Sequence, residues 1–185
     1  MTQDDELAVA GLDSPVGRLS VAVSRLGLAE VSWGSPRGLA ARSGVPEVTD
    51  PDRTGPVISQ LGEYFRGTRR WFDLALDWRH TTRIQHAVLR TLYEQVGYGR
   101  AITYGQLAEL SGTGVPARAI GVIMGRNPLP IVVPCHRVLA HDGLGGYSGG
   151  SGSDGLEVKR WLLTMEGVLP PTLDWNAEQL TAEPN

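Results

Sequence analysis

The sequence predicts an α/β protein of the α+β kind. A small N-terminal α/β domain with antiparallel strands spans 1–79, a mainly helical C-terminal domain spans 80–170, and a tail covers 171–185. Three observations carry this reading. Leu19-Ser20-Val21-Ala22-Val23 alternates, and after the turn-prone Arg25-Leu26-Gly27 comes Leu28–Trp33, the layout of a hairpin. Thr82 with Gln85, and Thr103 with Gln106, have the capping-box spacing in which a hydroxyl and an amide satisfy each other's free backbone donors. Pro116, a residue favoured at a first helical position, follows Ser111-Gly112-Thr113-Gly114 and leads a third helix to about Gly125.

In chain order, Ser35–Gly55 is rich in Pro, Gly, Ser and Arg and reads as a variable loop. Val57–Phe65 has helical spacing, and Phe72–Leu76 reads as a short strand closing the first domain. The helix begun at Thr82 buries Val88, Leu92 and Val96; the one begun at Thr103 buries Leu107 and Leu110. Two short helices joined by a Gly-containing turn suggest a helix-turn-helix. Asp154 and Glu157 open a last helix whose Val158, Trp161, Leu162 and Met165 fall on one stripe, and Gly167 is placed to cap it.

Composition narrows the function classes. Hydrophobic residues make up 41% of the 185 residues, yet no uninterrupted apolar stretch nears the roughly 20 residues of a membrane helix. The acidic start, Met1–Glu6, lacks the layout of a secretory signal, and one cysteine excludes an internal disulfide and a cysteine-rich zinc site. The expectation is a cytoplasmic protein. A net charge of −3 does not advertise nucleic-acid binding, but from Arg83 to Gly167 eight Lys/Arg face six Asp/Glu. The second half therefore permits phosphate contacts of a weak, salt-sensitive kind.

Cys135 follows Ile131-Val132-Val133-Pro134 and precedes His136 and Arg137. A strand-like run ending at a proline would display the thiol where a rigid element meets a loop, and cationic neighbours favour the nucleophilic thiolate. The alternative is a small buried hydrophobe without chemistry. On the third helix, Ile120, Ile123 and Met124 face one way, whereas Arg118, Gly121, Val122 and Gly125 share the other stripe. Two glycines there allow close approach of another backbone, and with the helix-turn-helix they suggest a nucleic-acid surface; a solvated arginine on a weak helix is the competing view.

Pro134-Cys135-His136-Arg137-Val138 resembles the active-site motif of the O6-alkylguanine-DNA alkyltransferases, also called methylated-DNA–protein-cysteine methyltransferases. Ile102–Ala108, Ala117–Gly121 and Asn127-Pro128 resemble that family's helix-turn-helix and asparagine hinge. Gly146-Tyr147-Ser148-Gly149-Gly150 and Lys159–Gly167 follow its order, as do Ser14–Gly17 and Tyr64–Gly67 in the first half. The resemblance covers roughly residues 12 to 169.

The resemblance implies repair of O6-alkylguanine in double-stranded DNA by irreversible alkyl transfer to Cys135, by a monomer with no cofactor and no metal. His136 would take the thiol proton through a water, because neighbouring side chains of an extended segment point apart. Glu166 would orient His136, and Asn127 would hold the turn before the active-site strand. Arg118 would replace the flipped-out base, and Tyr104 would crowd the phosphate and bond the guanine edge. Tyr147 and Ser148 would line the pocket, and the Cys135 and Val138 carbonyls would read the guanine amino group. Arg137, Gly121 and Gly125 complete the DNA- and base-binding set. Ile84 and Leu89 stand where members commonly carry Phe and Trp, and Ser151–Gly155 looks like an insertion beside the pocket loop. Three rivals compete: a cysteine-less damage binder, against which Cys135 argues; a thiol alkyl acceptor acting on a small molecule; and a transcription regulator.

Overall fold

The computed structural model describes residues 6–36, 46–150 and 152–171, which form two compact units, the first reaching Asp77 and the second running from Trp78 to Pro171. Beyond Pro171 the expected tail lies outside the described residues.

Among the described residues the first unit is a sheet of order β3-β2-β1-β4 with one helix. Its strands are β1 (Leu7–Ser14), β2 (Gly17–Val23), β3 (Leu28–Trp33) and β4 (Glu47–Val48), and its helix is α1 (Pro51–Phe65). The β2–β3 hairpin stands where the alternation predicted it, with Val21 opposite Val31. All of Leu19–Val23 is buried, however, on both faces of the strand; Ser20 donates its hydroxyl to the Gly34 carbonyl and so avoids an unpaired polar group. Strand β1 had no period-two signal strong enough to announce it. The expected loop 35–55 is also corrected: residues 37–45 lie outside the described residues, Glu47–Val48 pairs in parallel with β1, and the helix starts at Pro51. The start is set by Asp50, whose carboxylate accepts from the Asp52 and Arg53 amides. Thr54, Val57, Leu61 and Tyr64 give α1 its buried face. Phe72–Leu76 is not a strand; only Leu76 bridges Leu28, held by bonds of the Leu28 and Asp77 amides.

The second unit holds α2 (Arg83–Gln95), β5 (Ile102–Thr103), α3 (Tyr104–Leu110), α4 (Ala117–Gly125), a 3-10 turn (Cys135–Arg137), β6 (Val138–Leu139) and α5 (Gly155–Met165). Both capping boxes form: Thr82 and Thr103 cap α2 and α3 through the Gln85 and Gln106 amides. Pro116 is the N-cap of α4 rather than its first residue. Val88, Leu89 and Leu92 line the buried face of α2, while Leu110, the last residue of α3 and expected to be buried with Leu107, stands exposed. Gly167, with φ +77°, closes α5 as predicted. No helix among the described residues is long and apolar enough to cross a membrane.

The parallel pair β5–β6 ties the helix-turn-helix to the cysteine segment. It joins Ile102 to Val138 and Thr103 to Leu139. The first residue of α3, Tyr104, is thereby placed beside the chain that has just left Cys135.

Candidate active site

The approach to Cys135 is a buried turn, not the strand the Ile-Val-Val run suggested. Prolines at 128, 130 and 134 remove three ladder donors. Asn127 then clamps the loop from both ends, its amide donating to the Val133 carbonyl at 2.8 Å and its carbonyl accepting the Leu129 amide at 3.0 Å. Ile131 is driven to φ +74°, a left-handed conformation that costs a β-branched residue about 1–3 kcal/mol. Burial of Leu129, Ile131, Val132 and Val133 offsets that cost.

Cys135 opens a 3-10 turn closed by the Arg137 amide on the Pro134 carbonyl. With about three residues per turn, the three side chains fan out in different directions. The extended geometry expected here is therefore replaced by a fan: Cys135 lines a pocket of about 560 Å³, while His136 and Arg137 both reach Glu166. The His136 Nε2 lies 2.8 Å from Glu166 Oε1, and both side chains are fully buried. Arg137 clamps the same carboxylate with two bonds, Nε to Oε2 at 2.8 Å and Nη2 to Oε1 at 2.9 Å, and donates Nη1 to the Val96 carbonyl at 2.7 Å. Arg137, assigned from the sequence to the DNA- and base-binding set, is thus an interior residue whose guanidinium is committed to Glu166 and Val96.

The charges are set by these contacts. Burial pushes the Glu166 carboxyl upward, but His136 and Arg137 together hold it far below the usual carboxylate range. Burial lowers the His136 pKa against the pull of Glu166, with Arg137 and Lys159 adding to the lowering. A neutral His136 donates Nε2–H to the carboxylate, which leaves Nδ1 as its lone-pair atom; Nδ1 is buried and has no hydrogen-bond partner among the described residues. Burial raises the Cys135 thiol, opposed by the Asn127 amide, Lys159 and the Tyr147 hydroxyl.

Lys159 is the site residue that the sequence reading missed. It is completely buried, and its ammonium donates to the Val138 carbonyl at 2.7 Å and the Gly146 carbonyl at 3.1 Å. A signal existed. Lys159 and Glu166 lie seven residues apart, two turns along one face of α5, and buried Leu162 and Leu163 flank that face.

Around the pocket the remaining candidates divide. Tyr104, Arg118, Gly121, Gly125, Tyr147 and Ser148 all line it with Cys135, joined by Ala117, Met124 and Gly146. Arg118 and Ser148 are exposed at the rim. Gly121 and Gly125 face open space, Gly121 meeting nothing nearer than the Tyr104 ring. Tyr104 donates its hydroxyl to the Gly146 carbonyl, and Ser148 donates to the Gly125 carbonyl. The Cys135 carbonyl accepts the Val138 amide and the Val138 carbonyl accepts Lys159, so each has one lone pair left for a further donor. The loop that carries Tyr147 is pressed on α5: a Cβ at Gly155 would come within 2.5 Å of the Tyr147 carbonyl. Of the expected insertion, Ser151 lies outside the described residues. No group of three His, Cys, Asp or Glu side chains among the described residues could hold a metal ion.

Comparison with known proteins gives this site a context. Residues 83–168 match the family described as 6-O-methylguanine DNA methyltransferase, DNA binding domain. A methylated-DNA–protein-cysteine methyltransferase of Mycolicibacterium paratuberculosis is 38% identical over 156 residues, covering 84% of this chain and 89% of its own length. The Homo sapiens protein of that name is 36% identical over 180 residues, 90% of this chain and 84% of its own. The crystal structure of Mycobacterium tuberculosis O6-methylguanine methyltransferase superposes with a TM-score of 0.70 at 31% identity, over 91% of this chain and 96% of that one. A second Mycobacterium tuberculosis structure, of OGT in complex with DNA, gives 0.70 at 32% identity over 86% and 93%.

Proposed function

Because the chain belongs to the methylated-DNA–protein-cysteine methyltransferase family, we infer that it repairs DNA by moving an alkyl group from guanine O6 onto its own Cys135. One observation carries the assignment to these residues. The single cysteine of the sequence lines an open pocket together with residues of the second helix of a helix-turn-helix, and the next residue, His136, is buried in a pair with Glu166.

The reaction balances as a displacement. The thiol gives up its proton, sulfur bonds the alkyl carbon, and the carbon–oxygen bond breaks with its electron pair going to O6. Guanine regains a proton at N1, so the net change is one thiol and one alkylguanine to one thioether and one guanine. His136 is suited to take the thiol proton, directly or through a water, because Glu166 fixes Nε2–H and leaves Nδ1 as the acceptor. Asn127 and Tyr147 steady the developing thiolate.

A base inside a duplex cannot reach a pocket, so the alkylated nucleotide must rotate out. DNA is the partner, and α4 is the element offered to it. Arg118, exposed at the pocket rim, would fill the space left in the stack, while Gly121 and Gly125 keep the helix face low enough for a groove wall. Tyr104 would crowd the phosphate next to the lesion, and the Val138 carbonyl and Ser148 amide would read the guanine edge. All of these groups come from one unit of one chain, which suits action as a monomer. A free reactive thiol suits a reducing compartment, the cytoplasm.

Mixing the protein with a duplex that carries one O6-methylguanine and measuring its intact mass tests this. One added methyl group, mapped to Cys135, is expected. Retained binding without added mass would make the protein a damage binder; neither would turn attention to small alkyl donors. An Arg118→Ala variant should lose about 100-fold in transfer rate on duplex, since flipping costs a few kcal/mol, and much less on a short single strand where nothing needs unstacking.

A further inference from the structure

We propose that Lys159 is the counter-cation of the attacking sulfur: its buried ammonium stabilises the Cys135 thiolate and thereby sets the fraction of protein ready to react. The proposal rests on Cys135 being the alkyl acceptor.

Three observations lead to it. An ammonium with no exposed surface is expensive unless something compensates it. Its two hydrogen bonds go to neutral carbonyls, Val138 and Gly146, and no carboxylate pairs with it among the described residues. Glu166, the acidic group of the same helix face, is already held by His136 and Arg137. Those two bonds hold the ammonium beside the cysteine, since Val138 closes the turn that Cys135 opens and Gly146 lines the pocket with Cys135. Beyond the carbonyls, Cys135 is the titratable group that favours the charged lysine, and Lys159 in turn favours the thiolate. Burial lowers the lysine to about 8 against that attraction.

The other groups around the pair act in known directions. Lys159 disfavours an imidazolium at His136, which keeps that ring neutral and able to accept a proton. The Tyr104 ring lies 6.0 Å from Nζ, and the phenols of Tyr104 and Tyr147 are both pushed upward, so neither competes as an anion. The Glu166–Arg137 pair is internally neutral. The helix α5 therefore supplies both charges of the site, a cation toward the sulfur and an anion behind the imidazole.

In the transfer step Lys159 keeps its proton. The thiol proton leaves toward His136, sulfur bonds carbon, and O6 takes the electron pair of the broken bond. Once the thioether has formed, the sulfur is neutral and the ammonium has lost its counter-charge.

The test is the pH profile of Cys135 alkylation by iodoacetamide, read from pH 5.5 to 10 for wild type, Lys159→Met and Lys159→Arg. The methionine variant should move the rising limb up by roughly one to three pH units, and arginine should keep it near wild type. A merely structural lysine would change the rate without moving the limb, and an unmoved limb in Lys159→Met overturns the proposal. Should that variant fail to fold, the coupling is read from the other side, since it is reciprocal. With 13C-labelled lysine, the Lys159 midpoint should be lower in Cys135→Ala than in wild type; an equal midpoint overturns it as well. Methyl transfer by the wild type from an O6-methylguanine duplex is measured separately. Its absence would sink the repair reading while leaving the cysteine–lysine pair to stand or fall on its own titration.

Discussion

Replacing Cys135 by serine should abolish alkyl transfer while leaving binding to an alkylated duplex intact. The two side chains differ by one atom, so the pocket of about 560 Å³ and the exposed Arg118 at its rim keep their shape. What changes is the nucleophile. Burial raises the Cys135 thiol, Asn127, Lys159 and Tyr147 oppose that rise, and a thiol in such company still gives up its proton far more readily than a hydroxyl and is the stronger nucleophile. Loss of a principal nucleophile is on the order of 10⁶-fold in rate. Single-turnover transfer to the methylated duplex, followed by mass, should therefore show nothing on any practical timescale. A residual rate within a hundredfold of wild type would mean that another side chain accepts the alkyl group.

The second large effect concerns stability. Arg137→Met removes the fork that holds Glu166, leaving a buried carboxylate without its guanidinium and taking the arginine donor from the Val96 carbonyl. Breaking a buried pair by removing one partner costs about 3–5 kcal/mol. Chemical denaturation of the second unit should show a loss of that size. The carboxylate adds a pH signature. Glu166 is depressed in the folded protein, so the stability it contributes is complete above the ordinary carboxylate range and drains away as pH falls below it toward the folded value. The wild type should lose more stability than Arg137→Met on acidification from pH 6 to pH 3, because the variant has less depression to lose. Equal slopes would show that the guanidinium does not hold Glu166 in its charged form.

Much of this protein is legible in the order of its residues, and the failures share a cause. Local rules worked where the signal was local: the capping boxes at Thr82 and Thr103 both formed, the hairpin paired, and Gly167 closed its helix. Rules failed where propensity was overridden by context, near or far. Ile131–Val133 has strand propensity, but three prolines and the Asn127 clamp force a turn. Leu110 has core chemistry and the right spacing from buried Leu107, yet it ends its helix exposed. At the site, the sequence pointed to Cys135, His136, Glu166 and the pocket residues as one group, and the fold brings them together. It put Arg137 on the wrong side and passed over Lys159. Both errors have one origin: a cation in a sequence looks like a surface group, and only tertiary contacts reveal that its partner lies inside.

The helix α5 holds Lys159 against the pocket carbonyls and Glu166 behind the imidazole, two turns apart. Those two anchors make the helix a fixed ruler. Each residue added to or removed from it between the anchors rotates one end by about 100° and slides it about 1.5 Å relative to the other. The interval from 159 to 166 therefore tolerates substitutions of its outward-facing residues but no change of length. A one-residue deletion there would cost more activity than almost any exchange of side chains within it.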